Sequence, residues 1–252
     1  MCARTLNMLI LHSIKTVQLR YADFCAAAAP VAVNELVMTT RNVPLDANKS
    51  ALLIIDMQNY CAKPGRGLFA HIKASSIPQE HRYMFDRIDN TVVPSIRNLL
   101  SVFRSKRPQT NIIYTYIECL THDGRDQSLD YKLSGFLVPK GSDDAQIISE
   151  LKPHDDDIMI PKTSCSVFNS TNIEYVLRNL GVSQLVVTGM VTNQCVESAV
   201  RDAADRGFLV TLIEDAVATH TPEDHAQSLK NMRGFARICS HQQVLEEVTQ
   251  WK

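Results

Sequence analysis

The sequence predicts an α/β fold, a three-layer α/β/α sandwich, and three observations carry the prediction. Six short apolar runs recur between residues 51 and 239, helical apolar periods lie between them, and the composition is that of a chain that buries its own core: 45% hydrophobic and 21% charged over 252 residues. Continuous apolar runs suit strands covered on both faces. Strands alternating with helices build right-handed βαβ units around a parallel sheet.

The elements follow in chain order. Residues 51–55 (ALLII) form the first run, which ends at Asp56. Ile88, Val92, Ile96, Leu99, Leu100 and Phe103 recur at threes and fours and predict a helix. Residues 111–117 (NIIYTYI), β-branched and aromatic, give the second strand, closed by Glu118. Residues 157–161 give the third, closed by Lys162. Ile173, Val176, Leu177 and Leu180 make a helical stripe with Gly181 as its C-cap. Residues 185–190 are the fourth strand; Val196, Ala199, Val200 and Ala203 form the next helix, closed by Gly207. Residues 209–213 are the fifth strand and residues 236–239 a weaker sixth.

This pattern marks one domain over residues 46–252. Residues 1–45 read as an N-terminal extension, poorly ordered or set by a misplaced start codon. The extension is basic and acid-poor, with Arg4, Lys15 and Arg20 ahead of the first acid, Asp23, and is in that respect like an organelle transit peptide. Asn7 and His12 interrupt its apolar stretch and argue against a secretory signal.

Composition also excludes function classes. The formal net charge is −1, which gives no general attraction for nucleic acid or an anionic membrane. No apolar run approaches the roughly 18 residues of a spanning helix. The seven cysteines are odd in number, widely spaced and without Cys-x-x-Cys, so neither a disulfide framework nor a structural zinc site is expected. Reduced thiols and the lack of a clear signal make the cytoplasm the expected location.

In a parallel α/β sheet the ligand crevice lies beyond the carboxyl ends of the strands. That rule brings Asp56, Lys162 and Cys195 to one rim despite their separation in sequence. Cys195 follows the fourth strand and a four-residue turn, and is expected to open a helix. Helix dipole and free N–H groups there favour a thiolate and can hold an oxyanion, with the backbone N–H groups of Val191 and Cys195 as the donors. Asp56 suits proton transfer, and Lys162 suits holding Asp56 ionised beside a thiolate. Each residue also has a plainer reading: Cys195 as core filler, Asp56 and Lys162 as surface or capping charges at strand ends. No histidine lies near these strand ends, so a Cys–His dyad is not expected.

Three segments resemble the isochorismatase-like cysteine hydrolase superfamily: residues 52–59 (LLIIDMQN), 161–168 (PKTSCSVF) and 188–203 (TGMVTNQCVESAVRDA). The likeness covers about residues 48–240. It implies a six-stranded parallel sheet, a small-molecule substrate, a homo-oligomer, and Asp56, Lys162 and nucleophilic Cys195 as catalytic residues. It also implies a cis peptide bond at Val191–Thr192.

Within the superfamily, Cys195 tilts the reading toward C–N bond hydrolysis through a thioester. The alternative is isochorismatase-type vinyl ether cleavage with Asp56 as general acid; a non-catalytic binding relative is the third reading. The segment 118–123 (ECLTHD) lacks the Asp-x-His of metal-dependent nicotinamidases, so no metal and no other cofactor is expected. The stretch 197–203 (ESAVRDA) is similar to the ureidoacrylate and biuret amidohydrolase branch. The insert 121–132 (THDGRDQSLDYK) resembles a group whose substrate the sequence does not assign. Glu118, ending the second strand, is expected to accept hydrogen bonds from a substrate amide or ureido group, or else to pair with Arg125 or Lys132. Gln58, Asn59, Tyr60, Phe168, Asn172 and Thr192 are the other expected substrate-binding residues.

Overall fold

The computed structural model describes residues 41–106, 108 and 110–251. Most of the expected N-terminal extension, residues 1–40, lies outside them. Pro44 and Leu45 are bonded into the domain: Gln184 Nε2 donates to the Pro44 carbonyl at 3.1 Å, and Trp251 Nε1 to that of Leu45 at 3.0 Å.

Six strands form one parallel sheet: β1 (Ser50–Ile55), β2 (Asn111–Ile117), β3 (Ile158–Lys162), β4 (Gln184–Met190), β5 (Leu209–Ala218) and β6 (Ala236–Cys239). Their order is β3-β2-β1-β4-β5-β6. The chain winds outward from β1 to β3, returns to β4, and winds out the other way. The winding direction switches between β1 and β4, which opens the crevice where such folds hold ligands. β5 runs five residues beyond the expected stretch, and its pairing with β4 shifts register between Val187 and Gly189.

Alternation along β1 splits the core. Leu52 and Ile54 join the cluster on one face; Ala51, Leu53 and Ile55 join that on the other. The first face is covered by α3 (Val93–Ser105) through Ile96, Leu99 and Phe103, and by α9 (His241–Thr249) through Val244 and Val248. The second is covered by α6 (Ile173–Asn179) and α7 (Glu197–Asp205).

The remaining helices are α1 (Asn59–Ala62), α2 (Gln79–Arg87), α4 (Leu129–Leu133), α5 (Val167–Ser170) and α8 (Pro222–Met232). The helix expected from residue 88 begins earlier, with α2, and passes through a π turn at Ile88–Val92 before α3. Val93 N–H bonds five residues back to Ile88, immediately before Pro94, which has no N–H to continue the ordinary ladder. Among the described residues no helix is long and apolar enough to cross a membrane.

Candidate active site

The crevice is built by strand ends. Asp56 follows β1 in a left-handed backbone conformation (φ 52), which aspartate adopts more readily than most residues. Beside it, Gly189 of β4 is paired with Ile55 and has φ +109. A Cβ there would stand 2.0 Å from the Ile55 carbonyl oxygen, so only glycine lets the ends of β1 and β4 approach this closely.

After β4 the chain turns over a cis Met190–Val191 peptide. This is one bond before the expected Val191–Thr192. The Val191 carbonyl already accepts from Gln194 N and Val196 N, so Thr192 lies within the helical turn and the reversal precedes it. The same bonds correct the helix start. A π turn spans Thr192–Val196, and Cys195 is its fourth residue instead of the first of a new helix. The two donors to Val191 bracket Cys195 in sequence and bypass its N–H.

Asp56, Lys162 and Cys195 converge, all nearly inaccessible to solvent. Lys162 Nζ lies 2.9 Å from Asp56 Oδ2, 3.3 Å from Cys195 Sγ, 2.9 Å from the Tyr131 hydroxyl and 3.1 Å from the Ser164 carbonyl. Four acceptors surround an ammonium with three protons. Apart from the ion pair with Lys162, neither oxygen of the Asp56 carboxylate has a hydrogen-bond partner among the described residues.

The electrostatics follow from this packing. Burial pushes the Asp56 carboxyl well above its ordinary value, with Lys162 opposing and Cys195 adding to the rise. Burial works against the Lys162 charge, but Asp56, Cys195 and Tyr131 outweigh it and the ammonium is raised. The hydrogen bond with Cys165 and burial push the Cys195 thiol up, while Lys162 pulls it down. Cys165, with its sulfur 3.9 Å from that of Cys195, is brought down to about 6 by the same thiol contact.

The expected substrate contacts separate into groups. Gln58 is buried and its amide is engaged with backbone: Nε2 donates to Ile117 and Asp144 carbonyls at 3.0 Å, and Oε1 accepts from Ile117 N at 2.6 Å. It clamps the end of β2 and does not face a ligand. Tyr60 is core, edge-on to Phe136, its hydroxyl accepting from Leu137 N. Phe168 is also core, against Phe208 and under the Arg206 guanidinium. Asn172 is exposed at the start of α6.

Thr192 is fully buried, its hydroxyl 3.3 Å from His225 Nδ1 and its carbonyl accepting from Ser228 Oγ. Those contacts fix the turn to α8. Glu118 pairs with neither Arg125 nor Lys132; it accepts from Gly141 N at 2.9 Å. With Asn59 it lines a cavity of about 500 Å³ whose walls include none of Asp56, Lys162 and Cys195.

Two residues at the site were not anticipated from the sequence. Tyr131 comes from the insert, and its hydroxyl lies 3.8 Å from Cys195 Sγ. Cys165 borders a cavity of about 440 Å³ with Ser128, Asp130, Ser164, Asn169, Ser198 and Arg201. Among the described residues no group of three or more His, Cys, Asp or Glu side chains is placed to hold a metal ion.

Comparison with known proteins fits this architecture. Residues 50–243 match the family model of the isochorismatase domain. The chain is 31% identical over 198 residues to the ureidoacrylate amidohydrolase RutB of Caulobacter segnis, across 72% of this chain and 77% of that one. Among solved structures it resembles a cysteine hydrolase from Pseudomonas syringae pv. phaseolicola (TM-score 0.69, 24% identity, 82% of this chain and 96% of that one). It also resembles the N-carbamoylsarcosine amidase of Thermoplasma acidophilum (TM-score 0.58, 24% identity, 77% and 96%). At these identities the two structures speak for the fold.

Proposed function

The chain belongs to the isochorismatase family of hydrolases, and from that premise we propose that it hydrolyses a C–N bond in a small amide or ureido compound through a thioester on Cys195. The observation that carries the reading is the buried contact of Lys162 with both Asp56 and Cys195, beside an unpartnered Asp56 oxygen. The RutB likeness supports a ureido or carbamoyl group as the substrate class.

The geometry supports the following sequence. Asp56, its basicity raised by burial, takes the Cys195 proton, and Lys162 compensates the thiolate charge. The thiolate attacks the amide carbonyl. The oxyanion faces the N–H groups of Val191 and Cys195, the latter bypassed by the π turn's bonds to the Val191 carbonyl. Asp56 returns the proton to the departing nitrogen. It then takes a proton from water, whose oxygen attacks the thioester; collapse frees the acyl product and the thiolate, and Asp56 returns the proton to the sulfur.

Intact-protein mass spectrometry after exposure to amides, ureido acids and isochorismate tests this, with ammonia and isochorismate followed in parallel. An acyl adduct on Cys195 with ammonia release is expected. Cys195→Ala should lose about 10⁴-fold or more in turnover while remaining folded. Isochorismate consumption without an adduct, undiminished in that variant, would replace the thioester mechanism with acid-catalysed ether cleavage.

A further inference from the structure

We propose that Tyr131 is a further catalytic residue, a second hydrogen-bond donor to the Cys195 sulfur delivered by the insert between β2 and β3. The inference rests on Cys195 being the nucleophile and deepens that reading.

An ammonium donates and cannot accept, so in the 2.9 Å contact Lys162 Nζ is the donor and the Tyr131 oxygen the acceptor. The single phenolic proton must therefore point elsewhere. Cys195 Sγ lies 3.8 Å away, and Tyr131 is only 1% exposed, so water does not compete for that proton. The thiolate then accepts hydrogen bonds from Lys162 at 3.3 Å and from Tyr131, beside the Cys165 thiol whose sulfur lies 3.9 Å away. Hydrogen bonds to the charged form favour it. Burial, reinforced by Cys195 and Asp56 against Lys162, raises the phenol far above its ordinary value, so Tyr131 serves as a donor and not as a base.

The insert is built to hold this hydroxyl. Ser128 caps α4 by accepting from Tyr131 N, and Ser128 N donates at 2.9 Å to the carbonyl of Thr163, the residue after Lys162. The Asp126 carboxylate accepts from Leu120 N and Thr121 N and closes the loop. The tyrosine ring rests on Phe136. Most telling is what α4 leaves outside: Leu129 is 70% exposed and Leu133 79%. A five-residue helix oriented by apolar burial alone would turn a leucine inward. This one buries the side chain that carries a hydroxyl and aims it at the nucleophile.

The test compares wild type with Tyr131→Phe and with a ring-fluorinated tyrosine placed at 131. Iodoacetamide alkylation of Cys195 is followed across pH by peptide-resolved mass spectrometry, alongside the pH profile of kcat/KM. Losing one hydrogen bond to a charged group should slow Cys195 alkylation at neutral pH about tenfold in Tyr131→Phe and move the profile to higher pH. Fluorination makes the phenol a stronger donor in the same shape and should move it to lower pH. Profiles superimposable on wild type in both variants would overturn the inference and leave the nucleophile assignment standing. If Tyr131→Phe fails to fold, the fluorotyrosine arm decides alone, an unshifted profile overturning it. A wild-type Cys195 that resists alkylation, in a protein whose Cys195→Ala variant still turns over, would remove the nucleophile reading and this inference together.

Discussion

Asp56, immediately after β1, and Asp157, immediately before β3, are both carboxylates shielded from solvent and facing a cation, but they sit at opposite ends of the sheet. At the amino end, Asp157 Oδ2 accepts from Arg104 Nη2 and from His154 N, both at 2.7 Å, and Arg104 also reaches the Tyr114 hydroxyl and the Lys152 carbonyl, while its Nε has no hydrogen-bond partner among the described residues. At the carboxyl end, Asp56 has its cation on one oxygen and no hydrogen-bond partner on the other. A buried ion pair contributes to stability when its remaining lone pairs are satisfied; one left underbonded is costly and held in place by its surroundings. Here those surroundings are the Gly189–Ile55 approach and the left-handed Asp56 backbone. The difference lies at the carboxylates: that of Asp157 is bonded by a backbone N–H as well as its cation, that of Asp56 by its cation alone.

The largest effect that could break this contrast belongs to Asp56→Asn. The variant keeps size but cannot shuttle a proton, and kcat/KM should fall about 10³-fold or more. Lys162 retains the Tyr131, Ser164 and Cys195 contacts, so the stability loss should stay below about 3 kcal/mol. The opposite split is expected of Asp157→Asn. Arg104 is partly solvated, so urea unfolding should show a loss of about 2–4 kcal/mol, with kcat/KM per folded molecule within about threefold of wild type. A turnover-competent Asp56→Asn, or an Asp157→Asn that is stable but inactive, would erase the distinction.

The three converging residues were legible because strand ends are legible. An apolar run that stops at a charge announces both the strand and its rim position, and a parallel sheet brings such rims together. Tyr131 was hidden for the complementary reason. Its insert has no apolar period, and its leucines, which a pattern reader would bury, face solvent. Cys165 gave no signal of its own because its contact with Cys195 depends on how the loop after β3 folds. Gln58, Tyr60 and Phe168 were misjudged since nearness in sequence to Asp56 and Lys162 does not tell which way a side chain points. One clamps backbone and two fill core. The helical turn holding Cys195 begins earlier than expected because Val191, not Gln194, supplies its first accepting carbonyl.

The smallest predicted effect sharpens the contrast by asking whether satisfaction or location decides a residue's role. His225 lies close to the site: its Nδ1 contacts Thr192, in the turn that carries Cys195. Yet it is bonded like Asp157. Arg87 Nη2 can only donate, so at 3.0 Å it makes His225 Nε2 the acceptor, and Nδ1–H is left to donate to the Thr192 hydroxyl. Burial and then the Arg87 charge lower this imidazole from 6.5 to about 4. Between those values the unfolded chain binds a proton that the folded chain refuses. Stability is therefore full above about pH 6.5 and falls as pH drops toward 4, by up to about 3 kcal/mol. His225→Asn, which cannot titrate, should flatten that part of the stability–pH curve in urea unfolding and leave the slope above pH 7 unchanged. If satisfaction decides, kcat/KM per folded molecule at neutral pH should move by less than about threefold. Equal slopes in wild type and variant would remove His225 as the acid-sensitive group. A large fall in turnover at unchanged stability would show that nearness to Cys195 outweighs a complete set of hydrogen bonds, and the contrast between Asp56 and Asp157 would then need another cause.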